Sequence, residues 1–199
     1  MSAADLDDLD AGVRRNKPDH WLASRFIADE AARADVIALY AFDHELSRAL
    51  AVKEPLMAEI RLTWWSEAIA EIFEGRAVRR HPVTLALARA VAARGLPRDK
   101  FDAMIDGRFD LIETPAHASE ATEAALMGLA LTVLGAGDSA AASAAALRFG
   151  GDKGAANREA RDVRSEAFPA IAYAGLDAGR PESLRRRLQL LWIILRGRF

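Results

Sequence analysis

The sequence predicts an all-α protein, a single-domain antiparallel helical bundle, and three observations predict it. Apolar residues recur at three- and four-residue intervals through most of the chain, which is the mark of helices with one buried stripe. Alanine is abundant and β-branched runs are scarce, so intrinsic propensity favours helix nearly everywhere. No segment shows the strong period-two alternation of a half-buried strand. At 199 residues, 51% of them hydrophobic, the chain is long enough to bury one substantial core.

Residues 1–16 read as a flexible acidic lead-in. Asp5, Asp7, Asp8 and Asp10 have no basic partner among the first ten residues, and no apolar run there resembles a secretory signal. The helical domain is expected over residues 17–199. It opens at Lys17-Pro18-Asp19, with Asp19 near the cap, on a helix through Trp21, Leu22, Phe26 and Ile27.

Val36 to Glu71 then reads as two long helices. Val36, Leu39, Tyr40, Phe42, Leu46 and Leu50 stripe the first; Ile60, Trp64, Ile69 and Ile72 stripe the second, widened by Leu62 and Trp65. Lys53-Glu54-Pro55 separates them, because proline begins a helix but does not continue one, and so short a turn predicts antiparallel neighbours. Another helix runs from Pro82 to its stop at Gly95, and the next from Leu96-Pro97 to Thr114-Pro115. Ser119 begins a helix that ends at Gly135, and Asp138 caps an alanine-rich one over Ser139 to Phe149. Gly150, Gly151 and Gly154 form a flexible connection, since no phosphate-loop pattern accompanies them.

The central pair carries the polar chemistry. Asp43, His44, Glu45 and Arg48 lie in one turn, and Glu59, Arg61 and Glu67 flank Trp64-Trp65. Solvated faces with ion pairs are one reading; a lined cavity is the other. Adjacent tryptophans point about 100° apart on a helix, so at least one meets a boundary or a cavity. A net charge of −2 argues against nucleic-acid binding, and the absence of cysteine removes thiolate nucleophiles and cysteine zinc sites and fits a cytoplasmic protein. Four histidines with no i,i+4 pair argue against a histidine metal site, and His81 before Pro82 reads as a loop or cap residue.

At Ala38 to Ala49 (ALYAFDHELSRA) and Glu59 to Ile69 (EIRLTWWSEAI) the chain resembles the squalene/phytoene synthase family, all-helical enzymes that join two prenyl diphosphates. The stretch from Asp19 to Phe42 is similar to the family's opening, and His81 to Glu113 to the segment that follows. The resemblance implies the isoprenoid (terpenoid) synthase fold with a ligand-facing interior. It makes Tyr40, Asp43, His44, Arg48, Arg61, Trp64 and Trp65 candidates to face a cavity or ligand. Ser24-Arg25 matches a serine-containing stretch that faces diphosphate in the family, which adds Arg25 as an anion contact.

The departures weigh more. In active members two aspartates four residues apart share one helix face and hold Mg²⁺ against the substrate diphosphate. Aligned on Tyr40, those positions fall at Ser47 or Arg48 and at Ala51, so the first metal site is missing. Asn157 to Ala167 echoes the second motif with one extra residue, leaving Asp162 and Glu166 at i,i+4 spacing. Asp106 and Asp110 form the other such pair. These four are weak metal candidates.

The last fifteen residues hold five arginines and no acid around Leu188 to Leu195. Eight apolar-rich residues do not span about 30 Å of hydrocarbon. Residues 185–199 are therefore expected to pack on the bundle, to touch an anionic membrane surface, or both.

Three readings follow. The first is a relative that has lost Mg²⁺-diphosphate catalysis and binds a protein partner or an isoprenoid lipid near the inner membrane. Here no cofactor is expected, and the chain resembles the branch acting in assembly of respiratory complex I. The second is an active prenyltransferase with Mg²⁺ on relocated carboxylates, and the third a helical interaction module without a ligand cavity.

Overall fold

A computed structural model describes residues 3–114, 119–176 and 183–199, and the all-α expectation holds there: eleven α-helices, two single-turn 3₁₀ segments and no strand among the described residues. In chain order the helices are α1 (Ala3–Asn16), α2 (Pro18–Ser24), α3 (Glu30–Leu50), α4 (Pro55–Phe73), α5 (Pro82–Arg94) and α6 (Arg98–Glu113). There follow α7 (Glu120–Val133), α8 (Ser139–Arg148), α9 (Lys153–Glu159), α10 (Pro169–Ala172) and α11 (Leu184–Arg196). The 3₁₀ turns are Ala160–Asp162 and Tyr173–Gly175.

Local chemistry sets the helix ends. The Asp29 carboxylate accepts hydrogen bonds from the amides of Ala31 and Ala32 at 2.8 and 3.0 Å, capping α3. Pro55 and Pro82 sit in the first turns of α4 and α5. His81 caps α5, its Nδ1 accepting from the Val83 amide at 3.3 Å, and Gly95 ends that helix at φ 62°, a conformation glycine adopts without a Cβ clash. Ser119 caps α7 as its sequence predicts. Asp138 does not cap α8 with its side chain; it pairs with Lys100 at 2.5 Å instead.

Helix α3 is the axis of the bundle. Every residue from Val36 to Asp43 is buried, which is two full turns without a solvent face, and α1, α2, α4, α5, α6 and α7 all pack against it. Tyr40, Phe42 and Leu46 of α3 enter one core with Leu62 and Ile69 of α4, Leu87 of α5, Phe101 of α6 and Leu126 of α7. The buried Asp35 carboxylate accepts from Arg89 Nη2 at 2.8 Å and Arg94 Nε at 2.9 Å, fastening the end of α5 to the start of α3. Alanines 140, 141, 144 and 145 are buried and bring α8 close against α7.

Three expectations need correction. The acidic lead-in is helix α1: Leu9 and Val13, one turn apart, are buried against the bundle while Asp7 and Asp8 face water. Helix α2 stops at Ser24, and a turn to Asp29 intervenes before α3, so Phe26 and Ile27 lie outside any helix. On α4 the buried face is Ala58, Leu62, Trp65 and Ile69, and Ile60, about 200° from Leu62 on the helix wheel, stands exposed.

Candidate functional site

Five helices and one turn deliver polar side chains to the interior beside α3. Asp43 is buried and ion-paired with Lys17, and its other oxygen accepts from Arg108 Nη2 at 2.5 Å. One turn earlier on α3, the Tyr40 ring meets His20 of α2 edge-on at 4.9 Å between centroids. His20 in turn lies 4.0 Å from Tyr173, and the two tyrosine rings are 6.2 Å apart. Glu123 of α7 approaches His20 Nε2 at 3.9 Å and Arg148 Nε at 3.5 Å. Arg148 donates to the Tyr173 carbonyl at 3.2 Å and lies over its ring.

This centre is under-satisfied. His20 Nε2, Tyr40 OH, Arg108 Nε and Thr122 Oγ1 are buried without a hydrogen-bond partner among the described residues, and the Tyr173 hydroxyl and Glu123 carboxyl face one another without a well-formed bond. Such groups are rare in folded proteins and mark places where water or a ligand completes the bonding. Burial pushes the Asp43 carboxyl up, but Lys17 and Arg108 outweigh it and hold Asp43 below the ordinary carboxylate range. Burial, helped by Lys17, drives His20 well below the usual imidazole value. Burial raises Glu123 against the opposing pull of Arg148, and raises both phenols, which Glu123 reinforces. His20 is therefore neutral, and its 3.9 Å approach to Glu123 is no ion pair.

A pH dependence follows. The unfolded imidazole takes up its proton near pH 6.5 while the folded one does not, so the His20 contribution to stability is lost as pH falls below about 6.5. Glu123 acts oppositely, since its raised value adds stability at low pH that disappears as pH rises through that value. The His20→Asn protein is expected to show a flatter decline between about pH 6.5 and 5 than the native chain in urea denaturation. Identical profiles would remove His20 from this role.

The ligand-facing candidates divide among four places. Tyr40 and Asp43 belong to the interior centre. Arg48, Arg61, Trp64 and Trp65 come together with Glu45, Ala49 and His81 around a surface groove of about 350 Å³ where α3, α4 and α5 meet. Its aromatic wall is a cluster in which Trp64, Trp65 and His81 stand edge to face at 4.8 to 5.8 Å. Arg79 braces the wall: it lies 5.0 Å over Trp64, with Nε on Glu71 and Nη2 on Glu67 at 2.8 and 2.6 Å. His44 faces a neighbouring groove shared with α1, its imidazole lowered by burial. Arg25 stands apart, exposed at the end of α2 beside Trp21.

The residues at the expected metal positions do not fit Mg²⁺. Ser47 Oγ donates to the Asp43 carbonyl at 2.9 Å, Arg48 pairs with Glu45 at 2.9 Å, and Ala51 carries only a methyl group beyond the end of α3. Asp106 and Asp110 share the exposed side of α6, while Arg108, about 200° round the helix from Asp106, turns inward to Asp43. Asp162 and Glu166 do not share a helix: Val163, between them, is extended with ψ 120°. Their spacing in sequence therefore places them on no common face. Asn157, the other echo of that motif, clamps Phe199, accepting from its amide at 2.8 Å and donating to its carbonyl at 3.4 Å. No group of three His, Asp or Glu side chains able to hold a metal occurs among the described residues.

Sequence reasoning passed over Lys17, His20, Arg108, Glu123, Arg148 and Tyr173. For Arg108 a signal existed, because it continues the apolar stripe of Phe101 and Met104. A cation on a buried stripe needs an internal partner, and Asp43, i+3 from Tyr40, has the same property.

A helical bundle organised on this Tyr40–Asp43 helix has the architecture of the isoprenoid-synthase class. The sequence profile of the squalene/phytoene synthase family matches residues 13–157, well over half of the chain, and the chain belongs to that family. Comparison with curated proteins gives no significant match.

Proposed function

We propose that the chain is a squalene/phytoene synthase relative that has lost Mg²⁺-dependent diphosphate chemistry. It acts by binding a protein partner or an isoprenoid lipid near the inner membrane, in the manner of the family branch that serves assembly of respiratory complex I. One observation carries this reading: Asp43, the buried carboxylate beside the first metal motif among the described residues, is already occupied by two cations. A diphosphate–Mg²⁺ pair would need at least one carboxylate free to face the ion. The Trp64–Trp65–His81 groove, with Arg61 exposed at its rim, is the binding surface this reading favours. No described helix is long and apolar enough to cross a membrane, so membrane contact is peripheral in this proposal.

The test is phosphorus NMR of the purified protein with farnesyl and geranylgeranyl diphosphate, with and without Mg²⁺. Both substrates are expected to remain intact over hours in protein whose helical fold is verified. Mg²⁺-dependent release of inorganic diphosphate would overturn the proposal and direct attention to Asp106 and Asp110.

A further inference from the structure

Helix α11 buries one face and leaves the other uncovered. Leu190 and Ile193 are buried in the bundle, and Arg186 turns the same way to grip Asp19 of α2 with contacts of 2.8 to 3.1 Å. On the opposite side Leu184, Leu188, Trp192 and Leu195 are 72, 55, 50 and 76% exposed. Successive helical residues turn by about 100°, so these four fall within roughly 80° of arc and form one continuous apolar stripe. Lone exposed apolar residues are ordinary; three leucines and a tryptophan aligned on a single helix are not.

The stripe is bordered by cations. Arg185 and Arg196 lie along one flank and Arg187 along the other, with Arg198 just past the Gly197 cap. All four are exposed, and none has an ion-pair partner among the described residues. Arg196 stacks 3.6 Å over the Trp192 ring, holding a charge and an amphipathic ring side by side. Residues 184–199 contain no Asp or Glu, while the whole chain is net −2, so positive charge is concentrated on this one face. Thirteen residues make a helix about 20 Å long, too short to cross a bilayer and long enough to lie along one.

We infer that this face of α11 docks on an anionic phospholipid surface, the leucines and Trp192 entering the acyl boundary and the arginines meeting lipid phosphates. Charge complementarity selects that occupant over a neutral apolar partner, because cations flank the stripe at both of its ends. The inference deepens the membrane-proximal role proposed above and rests on it for its place in the cell. It is independent of whether diphosphate is turned over.

The experiment is flotation of the full chain with phosphatidylcholine vesicles, with and without about 30% phosphatidylglycerol, at low and high salt. Association is expected with anionic vesicles only, and salt is expected to weaken it. The exposed-side variants Leu188→Gln/Trp192→Gln and Arg185→Gln/Arg187→Gln are each expected to lose at least about tenfold in vesicle affinity, with native helicity and thermal midpoint. No association with anionic vesicles, or undiminished association of both folded variants, would overturn the inference. So would a native dimer that Leu188→Gln/Trp192→Gln converts to monomer, since a second copy would then cover the face. Diphosphate release in the NMR assay would sink the non-catalytic reading and leave vesicle docking untouched, so the two failures are distinguishable.

Discussion

Replacing Asp43 with alanine is expected to destabilise the fold by about 3–5 kcal/mol, the usual consequence of stripping one partner from a buried charge network. Asp43 is all but inaccessible, and its two oxygens pair one with the Lys17 ammonium and the other with the Arg108 guanidinium. Without it, two like charges remain in an interior where Tyr40 OH and His20 Nε2 have no hydrogen-bond partner among the described residues. Lys17 is the more exposed of the two and has the shorter way to water; Arg108 Nε is already buried and unbonded, so most of the penalty falls on α6. For a chain of this size the loss corresponds to a thermal midpoint lower by roughly 10 °C. Urea denaturation of Asp43→Ala and Asp43→Asn measures it, and a loss below about 1 kcal/mol would mean that water reaches the centre and screens the pair. The triple change Lys17→Met/Asp43→Leu/Arg108→Met is expected to recover most of the stability, because it removes the charges together.

Substituting Gly107 has the second large effect. A Cβ built there falls inside van der Waals contact of Thr122 Oγ1 and lies 2.9 Å from Ser119 Oγ. Gly107 is in mid-helix, so its role is to let α6 and the start of α7 approach. Gly107→Ala is expected to lose about 1–3 kcal/mol through overpacking, and Gly107→Val more. The Thr122 hydroxyl is buried with no hydrogen-bond partner among the described residues, so deleting it breaks no bond to them. Gly107→Ala/Thr122→Ala is therefore expected to regain part of the loss, with the Ser119 contact left as the remainder. Native stability of Gly107→Ala by denaturant titration would show that the helices separate without strain.

Much of the bundle was legible because single residues set its boundaries. Pro55, Pro82, Gly95 and Ser119 marked helix ends by chemistry that acts within one turn, and the structure uses each as expected. Composition masks the acidic helix α1: its four aspartates give it the polarity of a loop, while Leu9 and Val13, one turn apart, place it on the bundle. The grouping of Arg48, Arg61, Trp64 and Trp65 in one groove could be anticipated, since the helices that carry them are joined by a short turn. The interior centre could not. His20, Arg108, Glu123, Arg148 and Tyr173 come from five separate elements, and only the tertiary packing brings them to Tyr40 and Asp43. The Asp162–Glu166 pair failed for the converse reason, because its spacing has meaning only on a continuous helix and Val163 breaks it.

The three attachments of α11 have a consequence for whatever meets its outer side. Arg186 holds its first turn to Asp19, Gln189 donates to the Gly175 carbonyl at 3.2 Å, and Asn157 holds Phe199 beyond its last turn. Segments that become helical only on contact lose about 1–2 kcal/mol of backbone entropy per residue at the moment of binding. Here that loss is part of folding the bundle, because α11 is already fixed from both ends. A partner or surface arriving at Leu188 and Trp192 meets a finished relief, and encounter there is rigid docking with no ordering step.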